Sequence, residues 1–124
     1  MTSLNAHCKK VEKIKKYQEI VTQLLRDAAS TYQNGETEQL EDEVICDFLG
    51  NHFQLLTVGW RNNRYVFIVN CHIDIKPDAK VWIMANNTDI VIADALKQQG
   101  IPANDIVLGL KSPNIRQYTG YAVA

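Results

Sequence analysis

Apolar positions in the first quarter of the chain recur at steps of three and four residues. Between residues 9 and 33 they are Ile14, Tyr17, Val21, Leu24, Ala28 and Tyr32. This spacing places them on one face of a helix. Asn34-Gly35 follows, and these residue types adopt the left-handed conformation that ends helices. The pattern therefore predicts one long amphipathic helix near the N-terminus.

Beyond residue 43 the apolar period changes to two, which indicates β-strands. Four such runs are "EVICDF", "HFQLLTVGW", "RYVFIVNCHIDI" and "KVWIM", at residues 43–48, 52–60, 64–75 and 80–84. The turn-forming stretches between them are Leu49-Gly50-Asn51, Asn62-Asn63 and Pro77-Asp78. Short turns between successive strands favour an antiparallel meander.

The last third of the sequence predicts a second helix and a short closing segment. Asn86-Asn87-Thr88 offers side chains that cap a helix running to Gln99. "DIVLGL" is typical of a short fifth strand, and Ser112-Pro113 of a final helical turn. The predicted fold class is α+β: a long N-terminal helix, a four- to five-stranded antiparallel meander sheet, a second helix and a short C-terminal segment, with the helices on one sheet face.

Composition narrows the class of protein. A chain of 124 residues with 46% hydrophobic and 22% charged residues is typical of one soluble globular domain. The net charge of −1 argues against a strongly basic surface that coats duplex DNA. Three cysteines without a CxxC pair exclude a fully paired disulfide framework. Without a secretion signal or an apolar run long enough to cross a bilayer, we expect a cytoplasmic protein with no membrane contact.

The third strand carries the strongest candidate chemistry. Alternation places Asn70, His72 and Asp74 on one face, opposite an apolar face of Val69, Cys71, Ile73 and Ile75. His72 and Asp74 could share a metal ion, but a site needs three or four donors. His52 or Asp47 would have to supply the others from neighbouring strands, and spacing alone does not establish that.

Catalytic readings of the same row are weaker. Asp74-Ile75-Lys76 is the short half of a metal-dependent nuclease signature, but only Asp47 is a loose candidate for the required earlier acid. Cys71 points away from His72, so the two do not form a nucleophile–base pair. No phosphate-binding loop or Rossmann fingerprint is present. The sequence assigns no catalytic residue, no metal ligand and no cofactor, and it favours a binding role.

The motifs "GW", "HIDIK", "KVWI", "GIPANDIVLGL" and "SPNIRQYTGYA", in this order, resemble the XisI family, the fdxN element excision controlling factors of cyanobacteria. The likeness begins near Tyr17, includes "YQNGE" and continues to Ala124. It implies a single XisI-like α+β domain over residues 17–124. Residues 1–16 are then an N-terminal extension and the start of the first helix.

The resemblance implies a non-enzymatic controlling factor in programmed DNA rearrangement during heterocyst development, in which a separate site-specific recombinase exchanges the strands. Its expected partner is an XisH-like protein of endonuclease-like fold, with DNA and the recombinase contacted only indirectly, and a homo-oligomer is also compatible. The acidic segment from Glu36 to Glu43 is a candidate contact for a basic nuclease cleft. The predicted partner-binding surface is the polar sheet face of Asn70, His72 and Asp74. Trp and Arg are enriched at interface hot spots, so the prediction adds Trp60, Arg61, Arg64 and Arg116 from the neighbouring motifs.

Two alternatives remain open from the sequence. The first is direct DNA binding through the lysine-rich start of the first helix, at Lys9, Lys10, Lys13, Lys15 and Lys16. The second is a metal-dependent nuclease that uses Asp74 and Lys76.

Overall fold

A computed structural model describes residues 2–31 and 39–124, with side chains for residues 7–29 and 39–124. Tyr32, the predicted helix end at Asn34-Gly35, and Glu36 and Glu38 of the acidic segment lie outside these ranges. The elements are α1 Thr2–Thr31, β1 Gln39–Asp47, β2 His52–Arg61, β3 Arg64–Ile75, β4 Val81–Asn86, α2 Ile92–Gln98, a 3₁₀ turn Ala103–Asp105, β5 Ile106–Val107 and α3 Pro113–Arg116. The predicted α+β class is confirmed.

The long helix α1 buries the face that its apolar period predicts, except that one buried position is a neighbouring residue. Tyr17, Val21 and Ala28 are buried, but Leu25 is the fully buried leucine and Leu24 is only partly covered. The helix also begins at Thr2, earlier than the predicted start, because polar residues continue a helix without leaving an apolar signal. No helix within the described ranges combines the length and apolarity needed to cross a membrane.

The sheet has the order β1-β2-β3-β4-β5, and its first four strands form the predicted antiparallel meander. Asn62 and Asn63 have φ angles of 49° and 65°, as the tight turn between β2 and β3 requires. The fifth strand differs from the prediction because it pairs with β4 in parallel. A parallel neighbour needs a crossover connection, and the segment containing α2 supplies it.

The predicted side-chain cap of α2 is wrong. The helix begins at Ile92, and the preceding Val91 makes no capping hydrogen bond. Asn86 instead stabilises the turn before the helix. Its Oδ1 accepts a hydrogen bond from the Thr88 backbone N–H at 2.9 Å, and its Nδ2 donates to the Ile90 carbonyl at 2.8 Å. Capping residue types thus stabilise a turn here, which asparagine side chains also do by bonding to nearby backbone groups.

The core lies between one face of the sheet and the helices α1 and α2. Its fully buried side chains include Val21 and Leu25 of α1, Leu96 of α2, and Phe53, Leu55, Cys71, Ile73, Val81 and Ile106 of the sheet. Burial raises the pKa of the Cys71 thiol to about 12. The thiol therefore stays protonated near neutral pH and packs as a small hydrophobe, as the apolar run around it predicts.

A partly buried polar contact joins α1 to the 3₁₀ turn. The Tyr17 hydroxyl donates to Asp105 Oδ2 at 2.5 Å, and the Lys13 ammonium lies 2.7 Å from the same oxygen.

We expect Tyr17→Phe to lower the free energy of unfolding by about 1–2 kcal/mol, because it leaves a partly buried carboxylate without one donor. Urea denaturation measures this loss. Tyr65→Phe, on an exposed tyrosine, is the matched control, and equal values for the two variants would contradict the expectation.

Candidate functional site on the uncovered face of the sheet

One face of the sheet lies away from α1 and α2. Directly paired residues of antiparallel strands share a face, so the ladder identifies its members. Across β2 and β3 they are the pairs His52–Asp74, Gln54–His72, Leu56–Val69, Val58–Phe67 and Trp60–Tyr65. On β1 the same face carries Asp47, Ile45, Glu43, Glu41 and Gln39. We call this surface the uncovered face.

Aromatic side chains gather where β2 and β3 approach their connecting turn. Trp60, Tyr65 and Phe67 are 53%, 60% and 61% exposed. The Trp60 and Tyr65 rings meet edge to face with their centroids 5.3 Å apart. We call these three residues the aromatic patch. Neighbouring exposed aromatics are unusual on a surface that faces only water, and they are typical of interaction sites.

An acidic edge borders the aromatic patch. Glu41 and Glu43 are exposed on β1 and share the uncovered face with Val58 and Leu56. Asp42, between them, belongs to the opposite face, where its Oδ1 accepts a hydrogen bond from the Thr57 hydroxyl at 2.6 Å. Charged side chains on an edge strand discourage pairing with further strands. They also present negative charge beside an apolar centre.

The other end of the uncovered face holds two histidines around one carboxylate. Asp74 Oδ1 lies 2.6 Å from His52 Nδ1 and 2.7 Å from His72 Nε2. Gln54 Nε2 lies 2.8 Å from His72 Nδ1. Burial alone would raise the pKa of Asp74, but hydrogen bonds and charge from the two histidines outweigh it and hold that pKa below its usual range. We call His52, His72 and Asp74 the His–Asp–His cluster.

The predicted row Asn70-His72-Asp74 is wrong at Asn70. The register of β3 against β2 shifts between Leu55 and Leu56. This bulge turns Asn70 to the helix side, where its amide donates to the Thr57 hydroxyl. Val69 takes the place opposite Leu56, so it leaves the predicted apolar face. Strict alternation does not reveal a bulge, since one extra residue reverses the faces beyond it.

Two of the three predicted arginines do not lie on the uncovered face. Arg61 and Arg64 pair with each other beside the turn, and alternation places them on the face opposite the aromatic patch. The Arg116 guanidinium carbon lies 5.0 Å from the centroid of the Trp82 ring, and its Nε donates to the Lys111 carbonyl at 3.1 Å. Because Trp82 on β4 pairs directly with Asp74, Arg116 lies on the same side of the sheet as Asp74, and it holds the C-terminal segment there.

The nuclease pattern is not assembled by its predicted residues. Asp47 and Asp74 both pair with His52, so they lie on strands separated by β2, about 10 Å apart. Asp47 Oδ1 accepts the backbone N–H of Gly50 at 2.9 Å and stabilises the turn. The Lys76 ammonium lies 5.7 Å from the Trp82 ring centroid.

The lysine-rich start of α1 is exposed at all five lysines. Lys13 forms the ion pair with Asp105 described above. The others lie on a helix surface outside the uncovered face.

Comparisons with known proteins agree over nearly the whole chain. The family model "XisI protein" matches residues 11–123. The crystal structure of a XisI-like protein from Anabaena variabilis is 41% identical, with a TM-score of 0.81, over 90% of this chain and 99% of that one. The crystal structure of fdxN element excision controlling factor XisI from Anabaena variabilis is 26% identical, with a TM-score of 0.74 and the same coverage. No curated protein matches the chain.

Proposed function

The chain belongs to the XisI family, and from this membership we propose that it is a non-enzymatic controlling factor for the excision of a DNA element. It acts by binding an XisH-like protein of endonuclease-like fold through the uncovered face. A similar Anabaena variabilis protein is named fdxN element excision controlling factor XisI. The XisH-like partner is the one that the resemblance to this family implies.

The observation that carries the proposal is the aromatic patch. Trp60, Tyr65 and Phe67 hold more than half of their surface in solvent although each could have packed in a core. Tryptophan and tyrosine are the residues that most often dominate binding energy at protein interfaces. Held on two paired strands, they lose little further freedom when a partner covers them.

Negative charge beside the aromatic patch indicates the charge of the partner's surface. Glu41 and Glu43 add negative charge to the β1 edge of the uncovered face. A partner with a basic surface around an apolar centre complements this arrangement. Such charges act mainly on the association rate, so binding should become slower as salt is added, because the Debye length falls to about 8 Å near 0.15 M.

The non-enzymatic role rests on what the reactive groups do. The Asp74 carboxylate accepts hydrogen bonds within the His–Asp–His cluster. The Cys71 thiol is fully buried, and its raised pKa keeps it protonated. The Cys71 thiol therefore lacks the lowered pKa of an activated nucleophile, and the Asp74 oxygen that faces the histidines is engaged by hydrogen bonds from both of them.

Co-expression with the XisH-like protein of the same genome tests the proposal. We expect the two chains to co-elute in size-exclusion chromatography, with one defined mass by light scattering. Tyr65→Ala should weaken the complex by roughly 10- to 100-fold, the range of a hot-spot residue. Tyr118→Ala removes an exposed tyrosine from the C-terminal segment, so it is the matched control and should bind normally.

Two outcomes would overturn the proposal. Separate elution of the two folded proteins would rule out the XisH-like protein as the partner. Equal binding by both tyrosine variants would rule out the aromatic patch as the binding surface. The isolated chain is measured first, because self-association through the aromatic patch would also depend on Tyr65. Binding of the isolated chain to duplex DNA is also measured. An affinity that falls steeply with salt would favour direct DNA binding through the lysine-rich start of α1 instead.

A further inference from the structure

The His–Asp–His cluster gathers three metal-ligating side chains at fixed positions. Each offers one ligand atom, and the three atoms lie within 4.8 Å of one another. His52 and Asp74 are directly paired across β2 and β3, and His72 pairs with Gln54 two positions along the ladder, on the same face. Because the ladder fixes the backbone, the relative positions of the donors do not depend on a flexible loop.

From this geometry we propose that His52, His72 and Asp74 bind one divalent first-row transition-metal ion of the Zn²⁺ class. Two imidazole nitrogens and one carboxylate oxygen are the donors that such ions prefer, whereas Ca²⁺ and Mg²⁺ prefer sets of oxygen ligands. The ion would replace the two hydrogen bonds that now join the imidazoles to Asp74 Oδ1. Zinc lies about 2.0–2.2 Å from nitrogen and oxygen ligands, so the imidazole nitrogens must move away from Asp74 Oδ1, which they now contact at 2.6 and 2.7 Å.

Exposure of the cluster is graded from one ligand to the next. The side chain of Asp74 is 13% exposed, that of His72 23% and that of His52 54%. An ion can therefore enter beside His52 while the carboxylate holds it from the protected side. Three protein ligands leave at least one coordination position for water or for a side chain of another molecule, as in open zinc sites.

Gln54 is the positioning residue for His72. Its amide nitrogen lies 2.8 Å from His72 Nδ1. A metal bound at His72 Nε2 requires the ring proton to be on Nδ1, and the Gln54 amide then turns to accept that proton with its oxygen. Partners of this kind fix the ring orientation and the tautomer of a ligating histidine.

The alternative is that the same side chains hold only protons, as a hydrogen-bonded network. A Co²⁺ titration separates the two, using the full chain without a histidine tag after dialysis against EDTA. We expect one equivalent of Co²⁺ per chain to give the visible absorption of four- or five-coordinate cobalt. Zn²⁺ should then displace the cobalt and abolish the colour.

Substitutions of the ligands and of the positioning residue should weaken Co²⁺ binding to different degrees. Gln54→Ala should weaken Co²⁺ binding by about 10- to 100-fold, as expected for a partner of a ligand. His52→Ala, His72→Ala and Asp74→Asn remove ligands and should weaken it more. His7→Ala is the matched control, since it removes an exposed imidazole of α1 and should leave binding unchanged.

Folding does not limit this test. If Asp74→Asn fails to fold, His52→Ala still decides, because His52 is exposed and its loss should preserve the circular dichroism spectrum. The proposal fails if the wild-type chain gives no saturable absorption. It also fails if His52→Ala binds normally, or if His7→Ala abolishes binding, which would move the ion to α1 and Cys8. Each result is independent of whether the XisH-like protein binds.

Discussion

Phe53→Ala is expected to lower the free energy of unfolding by about 3–5 kcal/mol, while Phe67→Ala changes it by less than about 0.5 kcal/mol. Both phenylalanines lie on the central strand pair, but Phe53 is fully buried and Phe67 is largely exposed. Phe53 also meets the Phe48 ring edge to face, with centroids 5.7 Å apart. Its loss therefore leaves a cavity under α1, whereas the loss of Phe67 removes surface that water already contacts.

Urea denaturation followed by far-ultraviolet circular dichroism measures this difference. Tryptophan fluorescence is less suitable, because Phe67 and Trp60 belong to neighbouring pairs on the same sheet face, and the loss of Phe67 could alter the Trp60 emission without altering stability. The slope of the free energy with urea should be the same for both variants. A large loss for Phe67→Ala would show that the uncovered face is already buried in the isolated chain. The most direct cause would be a second copy seated on the aromatic patch.

Most of the fold follows from the sequence because its signals are local. The period of two over residues 64–75 predicts β3 with its observed bounds. Asn62-Asn63 fixes the hairpin turn because asparagine tolerates positive φ. The parallel pairing of β5 does not follow, since two residues, Ile106 and Val107, carry no information about direction.

The candidate site follows only in part because it depends on register. The sequence names both His52 and Asp47 as possible neighbours of His72 and Asp74. The pairing of His52 with Asp74 selects the histidine, and the position of β2 between β1 and β3 excludes Asp47. Register depends on turn geometry and on bulges, neither of which has a period. The resemblance to the XisI family adds the fold and a partner but no residue role.

The aromatic patch and the His–Asp–His cluster lie at opposite ends of one surface. Trp60 and His52 are eight residues apart on β2, a distance of roughly 27 Å at about 3.4 Å per residue. A protein interface of ordinary size, about 800 Å² per partner, is only about this wide. A partner centred on the aromatic patch would therefore reach the cluster with its border, if at all. Metal binding and partner binding should be largely independent, and Tyr65→Ala should leave the Co²⁺ affinity unchanged.

Gly59→Ala is expected to destabilise the protein by at least about 2 kcal/mol, although it adds only a methyl group to a strand. Gly59 has a φ of 138°, and a Cβ built there would lie 1.9 Å from the Gln39 carbonyl oxygen. Side chains rarely adopt this backbone conformation, and a backbone oxygen cannot move away as a flexible side chain would. The variant must either flatten β2 or separate the start of β1 from it.

Gly120→Ala is the control that separates backbone strain at positive φ from the collision of a new side chain with a neighbouring strand. Gly120 has a φ of 82°, but a Cβ there meets no atom within 4 Å. Gly120→Ala should therefore lower the free energy of unfolding only by the conformational cost of a side chain at positive φ, about 1–2 kcal/mol. Any loss beyond this in Gly59→Ala comes from the collision with β1 together with the greater cost of a side chain at φ 138°, and hydrogen exchange should locate the collision at the Leu40 and Glu41 amides. Equal losses in the two variants would mean that β1 yields without cost. A larger loss, with weaker partner binding, would show that the acidic edge must be held beside the aromatic patch.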